Sequence, residues 1–232
     1  MIRRPLSVLI AAASLTLLLP AAPARAADTY GNYADLAAHE VEGTDYLRLL
    51  RFPRGAEAAH IAIHGGAIEP PTTQLADAAA RAGHHAFYSF AAIKSSGNRD
   101  LHITAAHFDE PKALALVART DFTVSWHGAA GARPTTYVGG LDKALIRRVR
   151  AELRRAGFTV ARTLPDGLEG TSPANIVNRN RRGKGVQLEI SLGQRRLFFQ
   201  DGRLDRAWIE DPGHHTRAFA AYIAAVNRAL GA

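Results

Sequence analysis

Residues 58–66 read AAHIAIHGG, and residues 121–128 read DFTVSWHG. Each stretch is an apolar run that ends in a histidine followed directly by glycine. A largely apolar run of this length fits a buried strand, as in a parallel sheet. The histidine then stands where the strand leaves the sheet, held by a rigid element, and the glycine lets other backbone come close. The spacing therefore predicts strands over 58–63 and 121–126, delivering His64 and His127.

Further elements alternate around these two. Residues 71–82 read as a helix ending at Gly83, and 85–90 (HAFYSF) as a strand. A helix is expected over 110–119 with Asp109 as its N-cap. A stronger one is expected over 141–156, where Leu141, Leu145, Ile146, Val149 and Leu153 recur at helical spacing before Gly157. Strands are expected at 158–163 (FTVART) and 186–190 (VQLEI), with a short edge strand at 196–200. Phe219, Tyr222, Ile223, Val226 and Leu230 form the apolar face of a C-terminal helix over 216–230. No repeat or low-complexity linker divides the chain. The expectation is a single α/β domain, a mixed sheet flanked by helices.

The N-terminus has a different character. Arg3 and Arg4 precede the apolar run 6–19, Pro20 breaks it, and Ala24-Arg25-Ala26 fits an A-x-A cleavage site. Residues 1–26 therefore read as a secretory signal peptide, the run being short for a membrane span. The expected product is a secreted domain, 27–232, without a stable membrane span. The arginine pair leaves the general and twin-arginine export routes both open. Removing 1–26 lowers the formal charge from +8 to +5. A basic exported protein suits an anionic partner. Nothing shows the interleaved aromatic and basic residues of a single-strand nucleic-acid binder, and no nucleic-acid partner is expected. Cysteine is absent, which rules out thiolate metal sites. Any metal must be held by histidine and carboxylate.

Glu69 follows His64 across Gly65, Gly66 and Ala67, small residues that let the loop curl back. His64, Glu69 and His127 then make a His₂Glu set, and three protein ligands with one open position are what a catalytic zinc requires. A carboxylate must still move the proton of the attacking water. Glu189, in QLEIS, is the candidate. Alternation also permits a plainer reading, in which Gln187 and Glu189 lie on a solvent face opposite Val186, Leu188 and Ile190. The polar segment 94–110 carries Lys94, Asn98, His102 and Asp109-Glu110, and could line a site or form an ordinary surface loop. Asn175, Asn178 and Arg179 form a third polar group, in which Arg179 could fork onto a carboxylate. His214 and His215 read as surface residues. There is no HExxH, P-loop, GxSxG or catalytic cysteine.

HGGAIEP (64–70), the helix beginning at Gln74-Leu75-Ala76, NRDLHITAAHFDEPKAL (98–114), SWHG (125–128), GGLD (139–142), ANIVNR (174–179) and GKGVQLEIS (183–191) follow one another in an order that resembles the phage and bacterial poly-γ-glutamate hydrolases. The resemblance implies an α/β fold related to the zinc carboxypeptidases, one zinc per chain and hydrolysis of γ-glutamyl amide bonds in a polyanion. It implies His64, Glu69 and His127 as zinc ligands, Glu189 as the catalytic carboxylate, and Arg179 and His102 on the substrate side; Asn178, next to Arg179, is a further candidate for binding substrate. A monomer is expected. PPTTQLA (70–76), Ala105 and SLGQRR (191–196) depart from the family pattern, so another γ-glutamyl or peptide bond stays open as the substrate. A non-catalytic exported module binding polyanions through its arginines is the remaining alternative.

Overall fold

The computed structural model describes residues 28–231; the expected signal peptide lies outside them. Six strands form one mixed sheet: β1 (Tyr46–Arg51), β2 (Ala58–Gly66), β3 (Ala86–Ala92), β4 (Phe122–Ala129), β5 (Thr136–Gly140) and β6 (Val186–Ser191), in the order β1-β3-β2-β4-β6-β5. The four central strands run parallel, and β1 and β5 pair antiparallel at the two edges. Seven α-helices accompany them: α1 (Tyr33–His39), α2 (Thr72–Gly83), α3 (Pro111–Val117), α4 (Lys143–Arg155), α5 (Leu192–Arg196), α6 (Arg206–Glu210) and α7 (Arg217–Leu230). Among the described residues no helix is long and apolar enough to cross a membrane.

Alternation along the strands sorts side chains between two cores. Val124, Trp126, Val186, Leu188 and Ile190 point to one face, where they pack with Leu75 of α2, Leu145 and Val149 of α4 and Tyr222 of α7. Ile61, Ile63, Tyr88 and Phe90 point to the other, under Leu36 of α1, Leu116 of α3 and Leu101, Ile103 and Phe108. Full burial of each such side chain contributes about 1.5–3 kcal/mol. The face carrying Gln187 and Glu189 is the second one. It is buried, not solvated as simple alternation allowed.

Several expectations need correction. Asp109 does not cap α3: it accepts from the Tyr33 N–H and ties α1 down. Glu110 caps instead, accepting from Lys112 N and Ala113 N while Arg48 of β1 donates to it at 2.9 Å. Helix α4 starts at Lys143, not 141, because the Asp142 carboxylate accepts from Leu145 N at 3.0 Å. Residues 158–163 form no strand beyond one bridge between Val160 and Thr136. The Phe158 ring is taken up by Phe198 and Tyr222, so its side chain serves the helical layer. Residues 196–200 are not an edge strand either. Ser191 caps α5, whose last residue is Arg196, and Phe198 and Phe199 turn inward to the helical core. Strands β1 and β5 and helix α1 were not foreseen.

Candidate metal centre

Strand β2 carries His60 and Ala62 toward the α2/α4/α7 face. His64 has the same parity, yet its partners lie on the opposite side. The pairing of β2 with β3 shifts register between Ala62 and Gly65, and such an irregularity re-aims a side chain at a strand end. Two glycines make it possible. A Cβ on Gly65 would stand 2.3 Å from both Ser89 Oγ and Thr73 Oγ1, and Gly66 has φ +60° with its Cβ position 2.2 Å from the Ala92 carbonyl oxygen. Only glycine fits that approach at either position.

His64 consequently meets His127, which leaves β4 on the same side. Their Nδ1 atoms are 3.0 Å apart. Glu69 closes the triangle, with Oε1 3.2 Å from His64 Nδ1 and Oε2 3.6 Å from His127 Nδ1. One ligand atom from each of the three residues falls within 4.8 Å of the others. A tetrahedral site with metal–nitrogen bonds near 2.0–2.1 Å has edges of roughly 3.3 Å, which these separations bracket.

The outward-facing nitrogens agree with that use. His64 Nε2 donates to the Ile103 carbonyl at 2.9 Å, which leaves Nδ1 with its lone pair turned inward. His127 Nε2 is bonded to Ser125 Oγ at 2.7 Å. Gly128 N donates to Glu69 Oε2 at 2.8 Å and fixes that carboxylate. Burial alone would raise the Glu69 pKa, but His64 and His127 beside it hold it well below the usual carboxylate range. Burial opposes a charge on His64 too, yet Glu69 raises its affinity for a proton above the ordinary value. A centre with this preference for positive charge, the His64 Nδ1 lone pair turned inward beside His127 and Glu69, and no thiolate fits a His₂Glu zinc site.

Glu189 is paired in register with His127 across the parallel β4/β6 ladder, so both side chains emerge side by side on one face. Gln187 Nε2 donates to Glu189 Oε1 at 2.9 Å, and Asn175 Nδ2 donates in turn to Gln187 Oε1 at 2.8 Å. This relay aims the carboxylate. His102 lies with its ring centroid 4.0 Å from that of His64. Its Nδ1 is bonded to Asp28 Oδ1 at 2.7 Å, and Asp28 Oδ2 accepts from Thr104 N at 2.6 Å. Burial, and then the charge of His64, push the His102 pKa down to about 4, so the ring meets Asp28 as a neutral donor. Asp28 is held below its ordinary pKa despite burial, by the Thr104 N–H and by His102.

The other expected substrate residues part company. Asn178 is buried, and its amide is committed to backbone: Nδ2 donates to the Gly170 and Ser172 carbonyls while Oδ1 accepts from Gly185 N and Leu141 N. It braces the loop before β6 and has no donor left for a ligand, against the substrate role expected of it. Arg179 is exposed beside it. Lys94 is engaged by Glu40 at 2.9 Å. His214 stacks on Trp208 at 3.5 Å and His215 on Phe219 at 3.9 Å, both away from the centre. The reading from sequence missed Asp28, Ser125 and Arg195, and it saw Gln187 only as a neighbour of Glu189.

The model of the family described as poly-gamma-glutamate hydrolase matches residues 30–225. The chain belongs to that family. Among its curated relatives in Bacillus subtilis (strain 168), the SPbeta prophage-derived protein YoqZ is 35% identical over 204 residues, covering 88% of this chain and 72% of YoqZ. YndL is 35% identical over 175 residues, covering 75% of this chain and 68% of YndL. The solved structure of a bacteriophage poly-γ-glutamate hydrolase superposes with a TM-score of 0.83 at 34% identity, covering 88% of this chain and 97% of that one. The zinc-free apo structure of YndL superposes at 0.79 and 30% identity, covering 88% and 98%. The mixed, helix-flanked sheet is thus the architecture of the poly-γ-glutamate hydrolases.

Proposed function

We propose that the chain is an exported zinc hydrolase that cleaves the γ-glutamyl amide bonds of poly-γ-glutamate. The observation that carries this reading is the convergence of His64, Glu69 and His127 on one point with Glu189 in register beside His127. Family membership supports the substrate, zinc is named for the apo form of YndL, and the basic composition suits a polyanion. His64 and His127 would hold one zinc through Nδ1, and Glu69 through a carboxylate oxygen. A zinc ion bound there makes a coordinated water more acidic and polarises the scissile carbonyl.

The chain's own groups carry the protons. Glu189, steadied by Gln187, takes a proton from the attacking water and returns it to the leaving amine. His102, oriented by Asp28, faces the metal-ligand ring from the substrate side. The exposed guanidinium of Arg179 is available to a substrate carboxylate. Residues 1–26 support export, with Ala27 as the mature N-terminus.

The test is to purify the secreted protein without chelator, sequence its N-terminus, and measure zinc alongside the chain length of poly-γ-glutamate after incubation. About one zinc per chain is expected, with depolymerisation that stops on chelation and returns with zinc. Zinc content without attack on the polymer, but with release from γ-glutamyl dipeptides or cell-wall peptides, would keep the hydrolase and replace the substrate. The departures at 70–76 and Ala105 are the observation favouring that second outcome. Polymer binding without zinc or turnover would overturn the reading.

A further inference from the structure

Arg195 sits on α5, directly after the strand that carries Glu189, and is 7% exposed. Its guanidinium spends its three nitrogens on backbone carbonyls. Nε donates to Ile190 at 3.0 Å, Nη2 to Ala129 at 3.1 Å, and Nη1 to Pro70. These carbonyls come from three separate segments, and each lies just beyond a residue of the centre. Pro70 follows Glu69, Ala129 closes the His127-Gly128 strand end, and Ile190 follows Glu189.

Burying a guanidinium costs free energy that neutral carbonyls offset only in part. The charges of Glu69 and Glu189 both act favourably on this one, against the opposing effect of its burial. The fit is close. A Cβ on Gly128 would stand 2.8 Å from Arg195 Cζ, and Gly128 is the residue whose N–H holds Glu69 Oε2. The cation is therefore packed against the loops behind the ligands.

We propose that Arg195 is the positioning residue of this centre: one guanidinium locks the backbone behind Glu69, His127 and Glu189 into a single frame and keeps a fixed positive charge near the two carboxylates. This rests on the metal-centre reading above. Ala129 and Ile190 end the paired strands β4 and β6, whereas Pro70 lies on the loop after β2, so the guanidinium ties the Glu69 loop to the two strand ends that carry His127 and Glu189. The planar fork of arginine reaches three carbonyls at once, which the point charge of lysine does not.

The experiment compares wild type, Arg195→Gln and Arg195→Lys in three measurements: zinc affinity by chelator competition, kcat and KM on poly-γ-glutamate, and the melting temperature of the metal-free forms. The zinc dissociation constant is expected to rise 10- to 100-fold in both variants, the range for residues that orient metal ligands. kcat should fall with KM nearly unchanged, and lysine should not rescue zinc affinity. Folded variants that melt lower but bind zinc and turn over like wild type would overturn the proposal and leave the metal centre standing. Should Arg195→Gln fail to fold, Gly128→Ala presses on the same guanidinium from the other side. It should weaken zinc binding, and unchanged affinity there would equally overturn the proposal. A wild-type protein that takes up no zinc would overturn the centre and this proposal together.

Discussion

His60 and His64 stand on the same strand, and each meets a second histidine nitrogen to nitrogen at 3.0 Å, His85 in one case and His127 in the other. The pairs differ in how their remaining nitrogens are used. Trp126 Nε1 can only donate, and it donates to His60 Nδ1 at 3.1 Å. His60 must then carry its proton on Nε2 and give it to His85. No carboxylate is involved, and burial, followed by the repulsion of His85, holds the His60 pKa well below its ordinary value. At the other end of the strand the Ile103 carbonyl takes the outward proton of His64, and the two inward nitrogens face Glu69. Hydrogen bonds among neutral rings make a core histidine. An inward pair of nitrogens sharing a carboxylate makes a group that could hold a metal.

The comparison breaks most sharply at the metal. His64→Ala should reduce bound zinc from about one per chain to near none and abolish hydrolysis, whereas His60→Gln should keep its zinc. Metal analysis of both proteins decides the matter. Loss of zinc from the His60 variant alone would invert the assignment.

Glu189→Gln should retain zinc yet lose on the order of 10²–10⁴ in kcat, the usual worth of a positioned general base. Steady-state rates with metal content measured on the same sample would show it. Full activity would remove Glu189 from the chemistry.

Asp28→Ala should cost about tenfold in kcat/KM with zinc retained, an effect at the lower end of those seen when an orienting partner is removed. Kinetics set against zinc content separate this from a ligand defect.

The smallest effect is on the structural pair. His60 titrates below its unfolded value, so an unfolded chain takes up a proton first as pH falls through about 6.5. The stability it lends is present at neutral pH and drains away as pH drops, at no more than about 1.4 kcal/mol per pH unit. Denaturant unfolding of metal-free protein between pH 8 and 5 should show a steeper loss for wild type than for His60→Gln. Equal slopes would mean that His60 is not the group responsible.

The central strands were legible because parallel strands covered on both faces are largely apolar, and 58–63 and 121–126 are rich in apolar and small residues bounded by His-Gly. The edge strands were not. β1 carries Arg48 and Arg51, and β5 ends in Gly139-Gly140, so neither has the long apolar run that marks a central strand. FTVART misled for the opposite reason. It alternates as a strand does, but the outer edge of β5 accepts it only at Val160. In the site, His64 and His127 could be read because a rigid element delivers each just before glycine. Asp28, Gln187 and Arg195 act through partners that the topology brings in from distant or different segments. No local pattern marks an arginine that holds Pro70, Ala129 and Ile190. Asn178 shows the reverse failure: a polar residue in a promising motif was claimed by backbone.

The Asp28–His102 contact joins the start of the described chain to the wall of the centre. An aminopeptidase trimming through Asp28 would remove no member of either hydrophobic core, yet it would release His102 from its anchor. On the proposed cleavage before Ala27, a preparation trimmed past Asp28 would look intact by size and by spectroscopy while His102 had lost its anchor.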